Sequence, residues 1–271
     1  MNTDPAGQSV LLLRLAAPLQ SWGDTSEFNR RETSGRPTKS GVIGLLAAAQ
    51  GRARSESIAD LGDLSLGVRV DQPGTLLRDY HTVSDYRGLP LLSASVNAKG
   101  VQKPTGPVKH THLTQRFYLQ DAVFLVAVQG PRELVETLRH AVTHPAFPLA
   151  LGRRSCVPTQ PLLLDDQTQP DVVSALRATP WLASYSRNEL GRRKSPPAFV
   201  TLATTIDAAA GGDEDGVLDT AQDHPLSFDP LDRGRTTRSI RHGWVEVPTG
   251  LADPTSGAGT TDHDPFALLG W

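Results

Sequence analysis

The sequence of 271 residues has one cysteine, one methionine and few aromatic side chains, which make up 6% of it. Cys156 alone cannot form an intrachain disulfide or supply a multi-cysteine zinc or iron–sulfur site. The longest apolar runs, residues 42–49 and 122–128, are far shorter than the roughly 20 residues of a transmembrane helix. The first ten residues lack the basic and apolar regions of a secretory signal. We therefore expect a cytoplasmic protein with no membrane partner.

The common catalytic motifs are absent as well. The sequence contains no G-x-S-x-G, no H-E-x-x-H and no G-x-G-x-x-G. Lys39-Ser40 lacks the glycine that directly precedes the lysine of a Walker A loop, which argues against an enzyme that acts on a phosphate ligand at this place. We predict no metal and no cofactor.

Charge is unevenly distributed along the chain. The formal net charge is −2, which does not suggest a wholly basic nucleic-acid-binding protein. Residues 1–159, however, hold 18 basic and 13 acidic side chains, whereas residues 160–271 hold 9 and 16. Between Asp85 and Asp121 there are 35 residues without an acidic side chain. The distribution therefore indicates a basic face, which the net charge conceals.

The hydrophobic pattern predicts an α+β fold. In residues 1–165 it alternates strands with helices in an order close to the βαββαβ of a ferredoxin-like sheet with one enlarged connection. The predicted strands are 10–16, 64–70, 116–128 and 161–164, and the predicted helices follow 37–41 and span 133–140. A connection as long as the acid-free stretch suggests an extended hairpin rather than a loop.

Residues 166–271 are less regular and are predicted to extend the same domain. We expect a helix over 172–182 and strands over 198–205 and 244–247. The segments 208–223 and 250–264 are small, acidic and rich in Gly and Thr, which favours loops or partial disorder. The arginines at 233, 235, 238 and 241 are predicted to be solvated.

Three features could bind an anion. The helix start at Lys39 and Ser40 would offer free N–H groups to a phosphate, although Thr38 or Ser40 could instead cap the helix. The acid-free stretch suits a polyanion such as RNA, and its five cations are Arg87, Lys99, Lys103, Lys109 and Arg116. The loop Gly152-Arg153-Arg154 is compact and basic, and its glycine would let the backbone approach a ligand.

Five blocks of sequence carry a resemblance. They are LRLAAPLQSWG at 13–23, RPTKSGVIGLL at 36–46, RDYHTV-S-DYRGL at 78–89, RFYLQDA at 116–122 and LGRRSC at 151–156. In this order they resemble the fifth CRISPR-associated protein family of the RAMP superfamily, in particular its Cascade subunits from type I-E CRISPR systems. RHGWVEV at 241–247 is similar to the closing strand of the family.

The resemblance implies a ferredoxin-like or RNA-recognition-motif-like domain with a long β-hairpin thumb at about 78–120. It implies a non-catalytic subunit that binds the 5′ handle of CRISPR RNA and caps the backbone filament. The implied partners are that RNA, the Cascade backbone subunit and the Cascade large subunit, with target DNA reached indirectly through the complex. The implied RNA-binding set is Gln20, Trp22, Arg36, Lys39, Ser40, Arg87, Lys99, Lys103, Lys109, Arg116, Gly152, Arg153 and Arg154.

An enzyme is the alternative. Relatives from type I-C systems cleave precursor CRISPR RNA without a metal, and His81 could act as the general base of such an endoribonuclease. A hydrogen-bonded structural histidine explains the same residue.

Overall fold

The computed structural model describes residues 7–23, 29–85, 98–99, 110–164, 169–192, 195–210 and 216–251. Within these ranges lie ten strands and five helices. The strands are β1 (Gln8–Ala16), β2 (Leu19–Gln20), β3 (Arg30–Arg31), β4 (Ser65–Gln72), β5 (Thr75–Asp85), β6 (His110–Gln120), β7 (Val123–Pro131), β8 (Phe199–Asp207), β9 (Val217–Ser227) and β10 (Gly234–Pro248). The helices are α1 (Lys39–Ala49), α2 (Ala59–Gly62), α3 (Arg132–Thr143), α4 (Val172–Ala178) and α5 (Ser184–Gly191).

A six-stranded antiparallel sheet forms the body, in the order β1-β7-β4-β8-β10-β9. Because helices cover both faces, β1 is apolar on both sides. Leu11 and Leu13 pack in one cluster with α1 and α3, while Val10 and Leu12 pack on the other face with α4. The predicted α+β class is confirmed.

The predicted strand at 161–164 is much reduced. Leu163 forms a single bridge to Leu13 on the outer edge of β1. Two backbone hydrogen bonds support it, from Arg14 N to Leu162 O at 2.7 Å and from Leu164 N to Leu12 O at 3.1 Å.

The predicted strand at 116–128 is in fact two strands in different sheets. Asp121 has a φ of 55° and separates β6 from β7. Aspartate tolerates this left-handed backbone better than most residues. In the sequence only the polar pair Gln120-Asp121 marks the turn between two apolar stretches, and the prediction of one strand ran across it.

A second sheet projects from the body. β5 and β6 pair in register from Thr75 with Gln120 to Asp85 with His110, and the short strands β2 and β3 flank β6. The hairpin expected in the acid-free stretch is therefore present at its base, whereas residues 86–97 and 100–109 lie outside the described residues.

The C-terminal part is more regular than its composition indicates. Residues 217–223, expected to be loop, form the start of β9, and β10 is much longer than the predicted 244–247. Side chains pair across these strands: Arg238 forms an ion pair with Asp223 at 2.6 Å, and the His242 Nε2 atom lies 3.3 Å from an Asp219 carboxylate oxygen. Such pairs stabilise a polar ribbon that has few apolar residues. Within the described ranges, no helix combines the length and the apolar character that crossing a membrane requires.

Candidate nucleic-acid interface

A cleft of about 320 Å³ opens between the start of α1, the loop 151–156 and the connection between β9 and β10. Its lining is rich in cations and hydroxyl groups, and two aromatic residues, Trp22 and Phe228, also line it. The cations are Arg31, Arg153, Arg233 and Arg235, the acidic residue is Glu32, and the hydroxyls belong to Ser21, Thr38, Ser40 and Ser227. Guanidinium groups bind phosphate in a forked geometry, and an aromatic face can stack on a base. The cleft therefore has the chemistry of a single-stranded nucleotide site.

Gly152 brings the loop 151–156 against the N-terminal segment. It has a φ of 92°, and a Cβ at this position would lie 1.7 Å from the carbonyl oxygen of Ser21. The Ser21 N–H in turn donates to the Leu151 carbonyl at 3.1 Å. The glycine is thus required by a close approach of the protein to its own backbone, and this contact forms one corner of the cleft.

Arg153 connects the cleft to the base of the hairpin. Its guanidinium donates to the Phe117 carbonyl at 3.0 Å and to the Arg31 carbonyl at 2.8 Å. The same group lies 4.7 Å from the ring centroid of Tyr118. With these contacts made, Arg153 holds β3 and β6 beside the loop. Arg154, its exposed neighbour, is not part of the cleft lining.

At the N-terminus of α1, a carboxylate of the protein itself, that of Asp223, already occupies the position of a bound anion. Thr38 caps the helix by accepting from the Gly41 N–H at 3.3 Å, and the Lys39 N–H donates to the Asp223 carboxylate at 2.6 Å. The Lys39 ammonium is buried and lies 3.2 Å from Asp207. The anion attraction predicted for this helix start is therefore satisfied internally. Lys39 presents no charge to the cleft, whereas Ser40 lines it.

Gln20 and Trp22 lie in the core, each with no exposed surface. The Gln20 amide donates to the Ala122 and Leu15 carbonyls at 2.7 and 3.1 Å, and it accepts from the Trp22 indole N–H at 3.2 Å. Every polar group of these two side chains thus has a protein partner. Trp22 is nevertheless one of the residues that line the cleft, whereas Gln20 is not. Because neither side chain has exposed surface, we leave both out of the proposed interface.

Arg116 lies at the base of the hairpin. It is half-buried on β6, in register with Asp79 of β5 and Arg31 of β3. This register places Arg116 next to a strand that borders the cleft.

Of the other predicted cations, Arg36 precedes α1 and acts electrostatically on Asp219 and Asp223, which contributes to the lowered pKa of both carboxyls. Lys99 is exposed and is not among the residues that line the cleft. Arg87, Lys103 and Lys109 lie outside the described residues.

His81 lies on β5, with its Nδ1 atom 4.0 Å from an Asp79 carboxylate oxygen. It is not among the residues that line the cleft. In the described part of the chain, no group of three or more His, Cys, Asp or Glu side chains could hold a metal ion.

Sequence reasoning missed Arg31, Phe228, Arg233 and Arg235 as lining residues. The run of arginines from 233 to 241 was a usable signal, but the prediction that all four are solvated is wrong for Arg238. That side chain is 11% exposed and forms ion pairs with Asp207 and Asp223. Only the fold distinguishes Arg233 and Arg235, which line the cleft, from the buried Arg238.

Comparison with known proteins identifies the class to which this fold and cleft belong. The model of the family described as CRISPR-associated protein (Cas_Cas5) matches residues 10–247, and the chain belongs to this family. The chain is 36% identical over 187 residues to the CRISPR system Cascade subunit CasD of Escherichia coli (strain K12), an alignment that covers 62% of this chain and 76% of CasD. The resemblance seen in the five sequence blocks is confirmed.

Two solved structures are also similar. A chain of a structure titled "CRISPR RNA-guided surveillance complex" has a TM-score of 0.70 and 36% identity, with 92% of this chain and 95% of that one covered. A second, titled "Crystal structure of Cas protein", has a TM-score of 0.59 and 35% identity, with coverages of 89% and 96%. In both comparisons more than a third of the aligned residues are identical to those of this chain.

Proposed function

We propose that the chain is an RNA-binding subunit of a type I-E Cascade surveillance complex. It binds the 5′ handle of CRISPR RNA, caps the end of the backbone filament and performs no catalysis. Its partners are the backbone subunit and the large subunit, and it supports antiviral DNA targeting through the assembled complex. The similarity to CasD and to a chain of an RNA-guided surveillance complex supports this role.

The observation that carries the proposal is the arginine-lined cleft. Four arginines from three parts of the chain line it, together with four hydroxyl-bearing residues, Trp22 and Phe228. Single-stranded RNA is typically bound by phosphate contacts together with stacking of splayed bases. In this proposal Arg233 and Arg235 hold phosphates and Phe228 stacks on a base.

The arrangement of the body fits a ferredoxin-like domain of the RAMP type. The Leu163 bridge, β1, β7 and β4 follow one another in the sheet, with α1 and α3 on one face. In this interpretation the hairpin of β5 and β6 is the thumb. Arg116, at its base, contacts the handle next to the cleft.

Fluorescence anisotropy with a labelled RNA that carries the 5′ handle of the cognate CRISPR repeat tests the proposal. For single strands, log Kobs falls with log salt by about 0.7 for each phosphate contact. The double variant R233A/R235A should therefore bind more weakly, with a slope reduced by about 1.4. Both residues are exposed, so the variant should fold.

Arg192→Ala is the matched control, because this arginine is exposed on the surface at the end of α5 and pairs locally with Glu189 at 2.6 Å. It should leave the affinity and the slope unchanged. Arg116→Ala should weaken both RNA binding and assembly with the backbone subunit. Equal affinity of the wild-type chain for handle-bearing and scrambled RNA would refute handle recognition.

The absence of catalysis has a separate test. The protein alone is incubated with precursor repeat RNA in EDTA, and the products are analysed on a denaturing gel. We expect intact RNA. Specific cleavage that His81→Ala abolishes would establish the endoribonuclease instead.

A further inference from the structure

A buried ionic cluster lies directly behind the cleft and consists of Lys39, Asp207, Asp223 and Arg238. The Lys39 ammonium is 3.2 Å from Asp207, and Arg238 contacts both Asp207 and, at 2.6 Å, Asp223. None of the four side chains is more than 11% exposed. Two cations and two anions balance one another, which is the condition under which charges are tolerated in a protein interior.

Backbone groups complete the cluster. Asp223 accepts the N–H of Lys39 at 2.6 Å, and Asp207 accepts the N–H of Leu66 at 2.8 Å. The cluster thus joins the start of α1, β4, the end of β8 and the ribbon of β9 and β10. Asp223 also lies at the positive end of the α1 dipole, where a carboxylate is favoured.

The two walls of the cleft are formed by residues that lie close in sequence to members of this cluster. Lys39 stands between Thr38 and Ser40, which line one wall. Asp223 and Arg238 lie on β9 and β10. The connection between these strands carries Phe228 and Arg233 of the other wall, and Arg235 lies at the start of β10. The Phe228 ring rests on α1, since a Cβ at Gly44 would lie 3.6 Å from it.

We infer that Asp223 and Arg238 are positioning residues for RNA binding: they hold the arginine-bearing connection at a set distance from α1 without contacting RNA themselves. The inference rests on the proposed function and extends it to residues behind the cleft. Loss of the Asp223 carboxylate removes the partner of a buried guanidinium and of the helix start at the same time. The wall that carries Arg233 and Arg235 then loses its carboxylate link to the start of α1, while the Arg238–Asp207 pair and the contact of Phe228 with α1 remain.

The test compares Asp223→Ala and Asp223→Asn with Asp71→Asn. Asp71 forms an equally buried pair with Arg69, at 2.7 Å and with neither side chain exposed, and this pair anchors the end of α4 at the Leu176 and Thr179 carbonyls. Asp71→Asn therefore breaks a buried pair without touching the cleft. Each folded variant is titrated with the handle RNA across a salt series, and its active fraction is measured by stoichiometric titration.

A merely structural role lowers the active fraction but leaves the affinity and salt slope of the folded molecules unchanged. A positioning role changes the affinity and the slope. We expect Asp223→Ala to lose about tenfold in affinity for each phosphate contact that moves out of reach, with the slope reduced by about 0.7 per contact. Asp223→Asn keeps the size and an acceptor, so it should fold and show a smaller effect in the same direction.

Asp71→Asn should show the wild-type affinity and slope per folded molecule. Wild-type values for Asp223→Asn and for folded Asp223→Ala would overturn the inference, and so would an equal loss of affinity in Asp71→Asn. If R233A/R235A binds handle RNA like the wild type, the proposed function fails. This variant therefore distinguishes failure of the proposed function from failure of the positioning role.

Discussion

Replacement of Gly152 by alanine should destabilise the protein and damage the cleft. The added Cβ would lie 1.7 Å from the Ser21 carbonyl oxygen, so either the loop or the N-terminal segment must move. A left-handed backbone costs a non-glycine residue about 1–2 kcal/mol. Overpacking typically costs about 1–3 kcal/mol more. We therefore expect the free energy of unfolding to fall by about 2–5 kcal/mol.

Urea denaturation followed by far-UV circular dichroism measures this change. With an m value of about 2–3 kcal/mol/M, the midpoint should fall by roughly 1–2 M. Gly23→Ala is the control, because Gly23 also lines the cleft but a Cβ added there would have no other atom within 4 Å. It should change the stability by less than about 0.5 kcal/mol. If Gly152→Ala is as stable as Gly23→Ala, the close approach to Ser21 does not exist in solution.

Three further predictions concern buried groups. Gln20→Ala leaves the Trp22 N–H and the Ala122 carbonyl without their partners, so the free energy of unfolding should fall by about 2–4 kcal/mol. The RNA affinity per folded molecule should stay unchanged, and a loss of affinity would place Gln20 in the interface. Burial, together with the Lys39 charge, lowers the pKa of His224 in the folded protein below its ordinary 6.5. The stability that the neutral imidazole contributes is therefore fully present above pH 6.5 and is lost as the pH falls toward the pKa of the folded state. His224→Gln should flatten this part of the stability profile, and an unchanged profile would contradict the assignment. Burial raises the pKa of the Cys156 thiol, so iodoacetamide should label it slowly in the native state and rapidly in urea; equal rates would refute its burial.

Local patterns predicted the elements that depend on near neighbours. The helical spacing of Val42, Leu46 and Ala49 identified α1, and the apolar run before Pro18 identified β1. The acid-free stretch indicated the hairpin, since its base is formed by two paired strands. In each of these cases the deciding residues are a few positions apart in the chain.

Other side chains have partners that are distant in sequence, so their surroundings could not be predicted. Lys39 and Asp223 are 184 residues apart, and nothing near Lys39 indicates that its N–H and its ammonium already have carboxylate partners. Gln20 and Trp22 were assigned to RNA binding through the resemblance, but the fold gives the Gln20 amide the Leu15 and Ala122 carbonyls and gives the Trp22 N–H the Gln20 oxygen. A local reading assigns such groups to a ligand, because it cannot see the protein atoms that satisfy them.

The division of the chain into a basic and an acidic half needs the same correction. Asp207 and Asp223, from the acidic half, neutralise Lys39 of the basic half inside the core. Arg233 and Arg235, also from the acidic half, line the cleft. Both halves of the chain therefore contribute cations to the cleft. Because Arg233 and Arg235 are exposed, their attraction for RNA should weaken steeply with salt, whereas the ion pairs of the buried cluster should be less affected.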